Sequence, residues 1–144
     1  MVLEATRGWG KELRVAYTNA DGLMSVKCEI DEYLKNTKPD IMGVVETKLS
    51  DGIEMFNIGD GNYKVWTRNR LNKQGGGVMI MTKKNITVEE VVFGKGLAEI
   101  LKVKIIERGG GKRDLAVAYV PPKTNAWSMA EYDEMLKDTE ECYC

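Results

Sequence analysis

The sequence predicts an α+β fold of the layered α/β/β/α type, and three observations carry that reading. The chain opens with a strand–helix–strand pattern, continues with a run of strands at short spacing, and closes with a second helical pattern. At 144 residues it fits one domain, and 43% hydrophobic against 30% charged residues is an ordinary globular balance that excludes wholesale disorder.

Residues 12–18 read as the first strand, because Leu13, Val15 and Tyr17 alternate with more polar neighbours. Before it, residues 1–11 read as a loose leader, and 12–144 as the domain. Asn19, Asp21 and Gly22 supply turn chemistry. From Leu23 the apolar positions Val26, Ile30, Tyr33 and Leu34 recur at helical spacing, and Pro39 ends the pattern. Residues 40–45 follow as a short run apolar on both faces, which suits a strand covered on both sides.

Strand patterns then recur at 63–68, 77–81, 86–93, 101–105 and 114–120. The glycines at 109–111 mark a hairpin between the last two. Ser128 with Glu131 forms a capping box that opens a helix through Met129, Tyr132 and Leu136. The sum is about seven strands and two helices with a mostly antiparallel middle, unlike a doubly wound dinucleotide fold.

Composition removes several classes of chemistry. With no histidine, this chain alone builds no His-based triad and no HExxH zinc site. Lys and Arg number 21 against 22 Asp and Glu, so a nucleic-acid-coating protein is excluded while a local basic groove is not. Three cysteines, Cys28, Cys142 and Cys144, form no disulfide framework and suit reduced thiols. No apolar run approaches the ~20 residues of a membrane span, and no secretory signal pattern opens the chain. The expectation is an intracellular protein of cytoplasm or nucleus.

Two strand ends carry polar groups after apolar runs: Asn19, and Glu46 with Thr47 and Lys48. A strand–helix–strand unit sets such ends side by side, and a carboxylate with an amide oxygen suits a hard cation such as Mg²⁺. Tyr119 ends a later strand and brings a phenol to the same rim. Spacing alone leaves the bland alternative open, since a glutamate at a strand end is more often solvated or ion-paired. Gly75, Gly76 and Gly77 lack the G-K-S/T ending of a phosphate loop and enter a strand, so they read as a turn.

In order along the chain stand N-x-x-G-L (Asn19 to Leu23), P-D-I-x-G-x-x-E-T-K-L (Pro39 to Leu49), Asn69-Arg70 before Gly75-Gly76-Gly77-Val78, and Y-x-P-P (Tyr119 to Pro122). Together they resemble the endonuclease/exonuclease/phosphatase superfamily, most of all the endonuclease domain that precedes the reverse transcriptase of non-LTR retrotransposons. The resemblance runs from about Leu13 to the end of the chain. It implies Mg²⁺-dependent hydrolysis of a phosphodiester, with DNA as partner. It also implies Glu46 as the metal-binding carboxylate, Asn19 as support to metal and phosphate, and Tyr119 as a contact to the scissile phosphate. Lys48, Arg68, Asn69 and Arg70 would border the nucleic acid, with Lys73 nearby.

The family pattern continues with G-D-F-N or G-D-W-N, a further aspartate, and S-D-H, none of which occurs here. The resemblance therefore covers the N-terminal half to two-thirds of that fold, and implies that the isolated chain is inactive. It also implies an apolar sheet face without its usual cover, at Val44, Ile80 and Val117, and hence self-association or a partner chain. The alternative is a non-catalytic remnant or binding scaffold with the same half-fold.

Overall fold

The computed structural model describes residues 2–7, 13–49, 58–68, 76–94, 99–107 and 109–119. Strand β1 (Val2–Arg7) pairs antiparallel with β2 (Leu13–Asn19), helix α1 spans Leu23–Thr37, and β3 (Ile41–Val45) returns parallel to β2. A short 3-10 turn (Ile58–Gly61) leads to β4 (Tyr63–Arg68), which pairs with β5 (Val78–Lys83). These strands make one sheet in the order β1-β2-β3-β5-β4. Strands β6 (Thr87–Phe93), β7 (Glu99–Ile106) and β8 (Lys112–Tyr119) form a second, antiparallel sheet in that order.

Period-two alternation divides the core in two. On one face Ala16, Met42, Val44, Met79 and Met81 receive Leu23, Ile30 and Leu34 of α1. On the other, Ile41, Val45, Val78 and Ile80 meet Leu101, Val103, Ile105 and Val117 of the second sheet. All five residues of β3 are buried, as expected of a central strand covered by a helix above and a sheet below. The described residues thus form helix, sheet and sheet in successive layers, an α+β sandwich. The helix expected near 128–136 lies outside the described residues.

Two expectations are corrected. The stretch read as a loose leader carries β1, whose backbone pairs with β2 from Val2↔Thr18 to Arg7↔Leu13. Its alternation is diluted by Glu4, Thr6 and Arg7, the composition of an edge strand, so hydrophobicity alone does not announce it. The second correction concerns Val44, Ile80 and Val117, whose side chains are covered: 0%, 0% and 6% exposed. Val44 lies under α1, and the other two lie between the sheets, which cover each other. Among described residues the large exposed apolar side chains are Met24 and Phe93, on different elements.

The parallel pairing of β2 with β3 sets the place of the candidate residues. Its register ends at Asn19↔Val45, so the first residues after each strand leave the sheet at one edge.

Candidate active site at the sheet edge

The segment after β3 is fixed by its backbone. The carbonyls of Val45, Glu46 and Thr47 accept hydrogen bonds from the N–H groups of Ala20 (3.0 Å), Gly22 (2.8 Å) and Leu23 (2.9 Å). From the other side, Thr47 and Lys48 donate to the carbonyls of Gly77 (3.3 Å) and Gly76 (2.7 Å). Residues 46–48 are therefore clamped between the start of α1 and the start of β5. Gly77 has φ +92°, and a Cβ there would lie 2.3 Å from Thr47 Oγ1, so the close approach requires glycine. Gly76 and Gly77 lead directly into β5 and not into a helix; Gly75 lies outside the described residues.

Within this clamp Glu46 adopts the left-handed conformation, φ 52°. Strict alternation would send its side chain to the Met42 and Val44 face, beneath the helix. The left-handed turn breaks the alternation, and Glu46 Oε1 instead accepts a hydrogen bond from the hydroxyl of Tyr119, at the end of β8 in the opposite sheet. Two residues 73 apart in sequence thus meet at the rim between the layers. Both are half-buried.

Asn19 stands on the strand next to Val45 and is exposed; its Oδ1 accepts the Asp21 N–H at 3.0 Å, which shapes the turn into α1. Lys48 pairs with Asp21 across the same edge. That hydrogen bond, with the Asp21 charge and more distantly Glu46, holds the Lys48 ammonium above its ordinary pKa. Arg68 donates to the Ile100 carbonyl at 3.3 Å, tying β4 to β7. Asn69, Arg70 and Lys73 lie outside the described residues. Of the sequence-derived candidates, Glu46 and Tyr119 touch, Asn19 borders them on the adjoining strand, and Lys48 turns to Asp21.

Two further groups belong to this edge. Tyr17 shares a strand face with Asn19, and burial, then the Glu46 charge, raises its phenol pKa. Its position two residues before Asn19 is the signal that marks it. Glu99, 4% exposed, is opposite Tyr119 in the β7–β8 ladder, a neighbour visible only once register is known. Among described residues no three His, Cys, Asp or Glu side chains cluster. Among the oxygen donors at the edge, the Glu46 carboxylate and the Asn19 amide suit Mg²⁺, which binds one or two carboxylates and completes its shell with water and phosphate oxygens.

No family model and no curated protein matches the sequence. Solved structures do. An AP endonuclease from Archaeoglobus fulgidus matches over 90% of this chain and 49% of its own, with TM-score 0.63 and 24% identity. The human Nocturnin catalytic domain with bound sulfate matches over 90% and 58%, with TM-score 0.66 and 14% identity. An AP endonuclease from Leishmania major matches over 90% and 46%, with TM-score 0.64 and 15% identity. The chain therefore has the fold these proteins share, and spans about half of their length. Among described residues no helix is long and apolar enough to cross a membrane.

Proposed function

We propose that this edge is part of a Mg²⁺-dependent phosphodiester-hydrolase site, of the kind found in retroelement endonucleases, acting on DNA. The observation that carries the reading is the Tyr119–Glu46 hydrogen bond between the sheets, beside Asn19 on the neighbouring strand. Fold likeness to AP endonucleases and the ordered motifs around these three residues support it.

Glu46 and Asn19 would hold the cation, which would neutralise charge on phosphoryl oxygens. The protein's own groups do the rest. Tyr119, whose one O–H proton donates to Glu46 in the free protein, would turn that donor to an anionic phosphate oxygen once Glu46 engages the cation. Asn19 has an amide NH₂ to orient the same phosphate. The clamp of residues 46–48 keeps the carboxylate from turning under α1. Lys48 adds positive charge at the rim for the strand's phosphates.

Turnover needs more: a group that activates water and one that protonates the leaving oxygen. The sequence has no histidine and no G-D-F-N or G-D-W-N segment. We therefore propose that this chain alone binds the cation without hydrolysis. The test is Mn²⁺-induced broadening of the NMR signals of Asn19, Glu46 and Tyr119, with a supercoiled-plasmid nicking assay in Mg²⁺. The expected result is broadening that Glu46→Ala abolishes, and intact plasmid. Equal broadening in wild type and Glu46→Ala overturns the site; Glu46-dependent nicking overturns the lack of turnover.

A further inference from the structure

At the opposite end of the central sheet, a cavity of about 530 Å³ opens between the C-terminal end of α1, the 3-10 turn and the β5–β6 turn. It lies at the level of Asp40, six residues before Glu46; at a strand rise near 3.3 Å the two sites are about 20 Å apart. Its volume falls within the range of small-molecule sites, which span roughly 300–1,000 Å³.

The charges around it are unbalanced. Four lysines line the cavity: Lys35, Lys38, Lys83 and Lys84. Lys83 pairs with Asp40 at 3.3 Å. The lining carboxylate, Asp31, is already committed on both oxygens, to Lys27 at 2.7 Å and to the Gly59 N–H at 2.7 Å. Lys35, Lys38 and Lys84 therefore face the cavity without an anionic partner among the described residues. The C-terminal end of α1 contributes about half a negative charge, which offsets only a fraction of these three.

A second feature points the same way. Lys38 is in the left-handed conformation, φ 49°, at the C-cap of α1. Glycine or asparagine is the ordinary occupant there, because a Cβ is disfavoured. The chain thus carries a cation at a strained position on the cavity's rim. The walls supply more than charge. Tyr63 is held by its hydroxyl bond to the Pro39 carbonyl at 2.7 Å, and Asn62 and Asn85 are also among the lining residues.

We infer that this cavity binds a compact phosphorylated molecule of nucleotide size, its oligophosphate on Lys35, Lys38 and Lys84 and its organic portion toward Tyr63. The concave shape, with these three lysines among its lining residues, favours such a ligand over an extended strand. Three cations around one cavity match an oligophosphate better than a single carboxylate. This inference stands independently of the Glu46 edge.

The test titrates the full chain with tripolyphosphate and with ATP, in EDTA, by calorimetry and by amide shifts of Gly59, Asn62 and Lys84. Saturable binding with shifts confined to the cavity is expected. The variant Lys38→Gly/Lys84→Gln, which relieves backbone strain and so keeps its fold, should weaken binding at least tenfold. Lys112→Gln, a charge loss on the other sheet, should leave it unchanged. No saturable binding overturns the inference, as do equal losses in the two variants. Tighter binding of a twelve-nucleotide single strand than of ATP overturns the assignment to a compact ligand.

Discussion

Gly43→Ala tests whether the two sheets are locked together as the site requires. Gly43 lies in β3, paired to Tyr17 on one side and Ile80 on the other. A Cβ there would lie 2.6 Å from Val117 Cγ2 and 3.7 Å from the Tyr17 ring. Val117 is 6% exposed and two residues before Tyr119, so it has little room to retreat without moving the phenol that reaches Glu46. Overpacking a core costs about 1–3 kcal/mol. Replacing glycine in a strand returns roughly 0.5–1 kcal/mol, for a net loss of about 1–2 kcal/mol. Val117→Ala alone removes two methyl groups' worth of burial and leaves a cavity, about 2–3 kcal/mol. Combined, the new methyl fills space vacated by Val117, so the double variant should lose only about 1–2 kcal/mol, against a sum of roughly 3–5. Urea unfolding, followed by tryptophan fluorescence and by circular dichroism with a common m-value, measures all three. Additivity within about 0.5 kcal/mol would refute the claim that Gly43 and Val117 share one interlayer contact.

Gly77→Ala meets a harder obstacle: φ +92° and a Cβ 2.3 Å from the oxygen of Thr47, which is 1% exposed. The expected loss in urea unfolding is about 2–4 kcal/mol, of which adding Thr47→Ala should recover the clash but not the roughly 1 kcal/mol of backbone strain. Tyr63→Phe deprives the Pro39 carbonyl of its 2.7 Å donor and should cost about 1–2 kcal/mol at neutral pH. Burial first, then the Asp40 charge, raises the Tyr63 pKa, with Arg14 opposing. Above pH ~10 the unfolded phenol therefore ionises before the folded one, the unfolded state holds fewer protons, and stability falls as pH rises. Thermal melts from pH 8 to 11 should show a shallower alkaline decline in Tyr63→Phe than in wild type.

Much of the fold is legible in the sequence because local chemistry and tertiary need agree. Helix α1 shows its apolar stripe from Leu23 to Leu34 and its stop at Pro39, and the helix ends at Thr37. The run at 40–45 reads as doubly covered because it is, and the glycines after β7 announce a hairpin that forms. Strand β1 escapes notice because an edge strand is held by backbone pairing, to which side-chain hydrophobicity is a poor guide. The expected bare sheet face fails for a related reason: sequence marks a face as apolar but does not say which layer covers it, and here the sheets cover each other.

At the candidate site, the polar residues at the strand ends are visible in the sequence, but the turn that joins them is not. Glu46 reaches Tyr119 only because its backbone turns left-handed, a conformation that glutamate does not favour. Nothing in the residue itself asks for that turn. It is imposed by hydrogen bonds to Gly22, Leu23, Gly76 and Gly77 that hold the segment from both sides. The strain is small beside these bonds, each worth about 1 kcal/mol net, so the clamp outweighs the preference. The glycines at 22, 76 and 77, dispersed in sequence, are accordingly as much a part of aiming the carboxylate as Glu46 itself.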